Sequence, residues 1–221
     1  MALSSRYARL KTRVEQLGNH LLPQIDPTGS YSDKDLDLTR SYCLLCHAEI
    51  EAYIEDIILE ITSNAVTNWH NDKSIITPIV FHLAYTYRSE KREPPYSMVV
   101  LSFNLLKKYI EKNNGIKEDN LNGFCKPIGF QMDEVLKTTL SDFGKTRGEI
   151  AHTSFQTQQP IDPQTEKNRV LQILSGLALF DYELFAYSQT GVLKRTPIVT
   201  QWKKFSFVER IKILFTGKHI S

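Results

Sequence analysis

The chain has 221 residues, 41% of them hydrophobic and 24% charged, with a formal net charge of +2. That is enough apolar material for a sizeable core without metal or disulfide staples, and it excludes an intrinsically disordered or collagen-like chain. The near-neutral total argues neither for nor against a nucleic-acid partner, and three cysteines are too few for a disulfide framework.

The distribution of charge says more than its sum. Asp33 to Glu60 holds eight acidic residues and two basic ones, whereas Val192 to Ser221 holds seven basic residues and one acidic, Glu209. An acidic helix and a basic tail in one chain point to charge pairing within or between subunits, to a tail that meets phosphate, or to a tail that is simply solvated. The opening stretch "MALSSRYARLKTRVEQLGNHLL" is charged and amphipathic and does not read as an export signal, so a cytoplasmic location is expected. "IITPIVFHLAYTY" is the stretch nearest to a membrane span and is too short, so no membrane partner is expected.

In chain order, apolar residues at Leu10, Val14, Leu17 and Leu21 predict an amphipathic helix over residues 4–21. "PQIDPTGSYSD" reads as a loop, after which Ser32 or Asp33 caps a long second helix ending near residue 72. Its stripe runs Leu36, Cys43, Cys46, Ile50, Ile54, Ile57, Ile61. Residues 75–88 form a third helix with Pro78 in its first turn, and residues 97–113 a fourth. "KNNGIKEDNLNG" reads as a loop, residues 132–151 as a fifth helix and 164–188 as a sixth. A short basic helix around Phe207–Phe215 closes the chain. No period-two alternation or hairpin dipeptide marks a strand. The expected fold is an all-α helical bundle over residues 1–190 with a basic C-terminal extension over 191–221.

Several motifs invite chemistry and do not sustain it. "CLLCH", Cys43 to His47, matches a covalent haem attachment pattern, but Cys43 and Cys46 share a helix face with Ile50 and read as core packing. With Cys125 they lack the second half-site that structural zinc needs, so no metal and no cofactor are expected. Glu49, Glu51, Glu55 and Asp56 read as a solvated helix face. Arg40, His47 and Glu51, spaced by seven and four, read as a partly exposed charge row or as the lining of an interhelical polar site. "GKT" at Gly144 to Thr146 lacks the upstream glycine and the strand of a phosphate-binding loop.

"TRGEIAHTS", Thr146 to Ser154, is different. Leu136, Leu140, Phe143, Arg147 and Ile150 follow helical spacing, which puts a guanidinium where a leucine belongs. Such a charge is costly unless it is paired or lines a wet cleft. Gly144 and Gly148 flank it, each costing up to about 1 kcal/mol relative to alanine in a helix interior. Those losses make sense where a second backbone or a substrate approaches closely. His152 lies five residues on, which on an ideal helix is about 140° away. Either the helix ends near Ala151, or the other half of a site comes from a second subunit. An arginine can hold a phosphate and a histidine can move a proton near neutral pH. A plainer reading remains, in which Arg147 pairs with a carboxylate such as Glu51 and His152 caps the helix C-terminus.

"RGEIAH", an R-x4-H pattern late in an all-α chain, resembles the HEPN superfamily of helical ribonucleases. "SYCLLCHAEIEAYIEDII" resembles an early HEPN helix with an "E-x-[FY]" pattern at Glu51 and Tyr53. The branch it looks most like comprises bacterial toxin and defence proteins of the RiboL-PSP and MAE-type groups, over roughly Asp35 to Tyr187. The resemblance implies a metal-independent endoribonuclease that leaves a cyclic phosphate, its site shared across a homodimer, with Arg147 and His152 in the catalytic positions. It also implies RNA as substrate, and an antitoxin or a nucleotidyltransferase as partner. Glu51, Glu149, Gly148 and Thr153 are the supporting candidates. Lys145, Lys203, Lys204, Arg210 and Lys212 are candidates for holding RNA. One departure stands out: the residue after the arginine is usually polar in the family and is Gly148 here, with Glu149 next to it as a substitute. The alternative is a non-catalytic HEPN module that binds RNA, nucleotide or a partner protein.

Overall fold

The fold is all-α. The computed structural model describes residues 3–72, 75–86, 95–152, 161–189 and 193–194. Ser4 caps the first helix, α1 (Ser5–Leu21): its hydroxyl accepts the backbone N–H of Tyr7. Ser32 caps the second, α2 (Asp33–Asn71), in a reciprocal arrangement. The Ser32 hydroxyl accepts the Asp35 N–H, and the Asp35 carboxylate accepts both the N–H and the hydroxyl of Ser32.

The described segments fall into two groups. The first comprises residues 1–57, 113–123 and 131–183. It contains α1, the start of α2, the beginning of α5 (Glu118–Cys125), α6 (Glu134–His152) and most of α7 (Pro163–Gln189). Its core is apolar and closed: Cys43, Cys46, Ile50, Ile54, Leu140, Phe143, Val170, Ile173 and Leu177 are each inaccessible to solvent. Buried polar bonds pin helices within it. The Asp181 carboxylate of α7 accepts the Ser4 N–H and hydroxyl and, at 2.7 Å, the Tyr53 hydroxyl of α2. The Tyr7 hydroxyl donates to the Leu174 carbonyl at 2.9 Å. Gly176 lets α7 lie against α6, since a Cβ there would come within 2.7 Å of Leu136 Cδ1.

The second group comprises the described residues within 58–112, 124–130 and 184–194. Within it α3 (Pro78–Thr86) packs against α4 (Pro95–Glu111) and against a 3-10 turn, Lys126–Ile128. Gly129 ends that turn with φ of 70°, and a Cβ there would lie 2.0 Å from the His82 ring. The Tyr187 hydroxyl donates to the carbonyls of Ile128 and Gly129.

Three expectations change. The segment read as the loop "KNNGIKEDNLNG" folds from Glu118 into α5, whose first turn carries Glu118 and Asp119 where the helix dipole favours acidic groups. A minimal antiparallel ladder exists, β1 (Ile75–Ile76) against β2 (Leu193–Lys194); two residues per strand leave no alternation to read. And α7 is long and apolar enough to cross a membrane by length and composition. Its inward face is nevertheless filled by core contacts and by Asp181, as in the core helix of a globular unit. The expected basic helix near Phe207–Phe215 lies outside the described residues.

Candidate functional site

Arg147 lies on α6 one turn past Phe143, on the same face of the helix. Phe143 is fully buried, and its ring lies 5.9 Å from that of His47 on α2. Arg147 is half-buried, at the margin of the core. Its guanidinium makes no ion pair among the described residues, so the plainer reading of an Arg147–Glu51 salt bridge is not the arrangement found. Its charge is still felt by both His47 and Glu51.

Glu51 sits at the centre of a polar cluster. Its Oε1 accepts the Asn113 side-chain N–H at 2.9 Å, and its Oε2 faces His47 Nδ1 at 3.6 Å. Asn113 also donates to Glu55 at 2.6 Å and to the Gly115 carbonyl at 2.9 Å, while its own oxygen accepts the Asn120 amide. Burial raises the pKa of Glu51, mutual repulsion with Glu55 adds to this, and Arg147 opposes it. Burial likewise raises the pKa of Glu55, with the Asn113 bond opposing. Burial, then the Arg147 charge, pushes the His47 pKa down to about 4, so the imidazole is neutral at pH 7 and the Glu51 contact is not a charged pair there. His47 is only 2% exposed, and its Nε2 has no hydrogen-bond partner among the described residues.

These contacts correct two expectations. The acidic stretch of α2 is not simply a solvated face: Asp56 pairs with Arg6 and Glu49 with Arg13 on α1, while Glu51 and Glu55 share Asn113. Nor do Arg40, His47 and Glu51 form an exposed row, since Arg40 pairs with Asp37 and His47 is buried. Asn113 and Asn120 escaped notice because Asn113 reaches Glu51 and Glu55 from a distant segment, which spacing along one helix does not reveal.

His152 is exposed and is the last residue of α6, which runs unbroken from Glu134. Five residues of continuous helix turn its side chain about 140° from Arg147 and place it about 7.5 Å further along the axis. The two groups do not converge within one chain. Glu149 is exposed and, two residues on from Arg147, projects from nearly the opposite side of the helix. Of the two glutamates, Glu51 is the one whose titration the Arg147 charge affects. Gly144 is buried, and a Cβ there would meet Lys117 Cγ at 3.4 Å and Ile116 Cγ1 at 3.5 Å. These are ordinary van der Waals distances, so the space above Gly144 is covered by the chain's own residues and has room for a methyl group but not for a larger side chain. Gly148 has nothing within 4 Å of such a Cβ and is the glycine left open to a partner or substrate.

Lys145 is exposed and pairs with Asp142 at 2.8 Å. Beside it, α6 and α7 border a polar groove of about 420 Å³ lined by Thr138, Asp142, Asn168, Arg169 and Gln172. Arg169 donates to the Thr146 hydroxyl at 3.0 Å, one residue before Arg147. Thr153, Lys203, Lys204, Arg210 and Lys212 lie outside the described residues. The two cysteines of "CLLCH" are fully buried, and burial pushes the Cys46 thiol up to about 12. They are core residues. Among the described residues no three His, Cys, Asp or Glu side chains gather closely enough to hold a metal ion.

The all-α fold agrees with that expected of a HEPN protein. More particularly, the chain belongs to the RiboL-PSP-HEPN family, whose model matches residues 8–181. The matched region takes in Glu51, Arg147 and His152 and stops before the basic tail. HEPN domains are generally of the ribonuclease type. No curated protein and no solved structure matches the chain.

Proposed function

We propose that the protein is a metal-independent endoribonuclease acting as a toxin or antiviral defence effector, with its site shared across a homodimer. The observation that carries this reading is the half-buried Arg147 guanidinium, left without an ion pair among the described residues beside Glu51. A desolvated cation kept unpaired is costly, and a scissile phosphate repays that cost by accepting its N–H groups. The sharing of the site rests on the unbroken helix: an arginine and a histidine that diverge on one copy converge when two copies of α6 face each other across a two-fold axis. Gly148 leaves room for that approach.

In this mechanism one histidine takes the proton of the ribose 2′-hydroxyl, and the freed oxygen attacks the adjacent phosphorus. The bond to the 5′-oxygen breaks, that oxygen takes up the proton that the histidine accepted, the imidazole is neutral again, and a 2′,3′-cyclic phosphate remains. The arginine neutralises the charge that builds on the phosphoryl oxygens. The polar groove beside Thr146 offers amide and hydroxyl partners to a neighbouring nucleotide. A partner antitoxin or nucleotidyltransferase would restrain such an activity.

The purified protein is expected to cut single-stranded RNA in the presence of a chelator. Arg147→Ala and His152→Ala are each expected to abolish cutting while keeping the helical circular dichroism spectrum. A parent that binds RNA without cutting it would instead favour a non-catalytic HEPN module binding RNA, nucleotide or a partner protein. The observation that favours this second reading is Gly148, where the family usually has a polar residue.

A further inference from the structure

We infer that the groove between α6 and α7 is a subsite for a guanine base of the RNA strand, with Arg169 and Asp142 as the residues that select it. This rests on the ribonuclease reading, which supplies RNA as the ligand. The groove measures about 420 Å³, within the range of small-ligand sites, and Asp142, Asn168, Arg169 and Gln172 line it together. Arg169 is fixed there by two bonds. Its Nη1 pairs with Glu166 at 3.2 Å and donates to the Thr146 hydroxyl at 3.0 Å. Glu166 is only 5% exposed and also accepts the Cys43 thiol of α2 at 3.5 Å, so one anchor of the guanidinium belongs to the core. Nε and Nη2 of Arg169 make no hydrogen bond among the described residues. A guanidinium held through one nitrogen, with its other donors uncommitted, is prepared for a planar, two-pronged acceptor.

The charges around the groove decide which acceptor. Arg169 is countered by Glu166, and Asp142 shares Lys145 through Oδ1 at 2.8 Å. Little net attraction is left for a phosphate, and a neutral group carrying both acceptors and donors is the better match. Guanine has that combination. Its O6 and N7 accept two N–H bonds from one guanidinium, the commonest specific arginine–base contact. Its N1–H and exocyclic amine donate, and Oδ2 of Asp142, which has no hydrogen bond among the described residues, is free to accept. Uracil and cytosine have no N7, and adenine carries an amine where guanine has O6, so each forfeits the arginine fork. In a single strand both edges of the base are open to such contacts. Asp142 and Thr146 stand ten and six residues before His152, about 15 and 9 Å along α6, so the base is held to one side of the cut bond and not at it.

Single-stranded 2′-O-methyl RNAs, which cannot form the cyclic phosphate, test the subsite on the full chain. Oligouridines carrying one central guanine, inosine, adenine or no substitution are compared by fluorescence anisotropy. The guanine strand is expected to bind roughly tenfold tighter than the all-uridine strand, and adenine to give no gain. Inosine lacks only the exocyclic amine and should fall between. Asp142→Ala, a change at an exposed helical position, should erase the difference between guanine and inosine while melting near the parent's temperature. Arg169→Lys keeps a charge beside Glu166 but not the fork, and should bring guanine down to the level of adenine. Equal affinity of the parent for the guanine and uridine strands overturns the inference, as does a guanine preference that both variants keep. A parent that prefers guanine in binding yet never cuts unmodified RNA upholds the subsite and sinks the ribonuclease reading. A parent that cuts RNA but binds all four strands alike does the reverse.

Discussion

His47 makes a prediction about acid stability whatever the substrate is. Its pKa is pushed down to about 4 from an ordinary value of 6.5, by burial first and by Arg147 second. Between those two values the unfolded chain holds the proton and the folded chain does not. Stability is therefore fully present above about pH 6.5 and lost as the pH falls toward 4. Glu51 and Glu55 act in the opposite sense. Their pKa values are raised, so the stability they contribute is present below the ordinary value and lost as the pH rises through the folded one. His47→Leu should therefore flatten the acid decline between pH 6.5 and 4, removing at most about 2–3 kcal/mol of it at roughly 1.4 kcal/mol per pKa unit. Urea unfolding midpoints taken across this window are the measurement. An acid decline as steep in the variant as in the parent would assign it to other groups.

The helix α6 carries two glycines with opposite roles, and substitution separates them. A side chain at Gly144 would press on Ile116 and Lys117, so Gly144→Val should cost about 1–3 kcal/mol through overpacking. Gly148 faces open space, so Gly148→Ala should gain up to about 1 kcal/mol in helix propensity. Chemical denaturation of the two variants checks the contrast, and equal losses at both positions would contradict it. Both glycines were visible in the sequence, but their roles were not, because what each one faces is set by other segments. The same limit applies to whole elements. The apolar periods that announced α1, α2, α6 and α7 survive in the structure, because each helix is long enough to repeat its stripe. Helix α5 went unread: eight residues, "EDNLNGFC", with a glycine and two asparagines carry too little periodicity to outweigh their turn-forming chemistry.

For the whole molecule, the R-x4-H pattern and the early glutamate were legible because they sit on single helices with a recognisable order. Their relation was not, since it depends on how α2 and α6 pack and on whether α6 ends before His152. The unbroken helix leaves Arg147 and His152 divergent, and everything proposed for the activity follows from that divergence being resolved between two copies. Mixing Arg147→Ala with His152→Ala tests this most directly. Each variant alone offers no complete arginine–histidine pair. If the pair is made across the two-fold axis, random re-association of equal amounts gives half mixed dimers with one of two pairs intact, or about a quarter of the parental cutting rate. The account predicts that recovery, at a dimer mass confirmed by light scattering. A mixture that stays as inactive as its components, while the parent cuts RNA under the same conditions, would contradict a site shared between subunits.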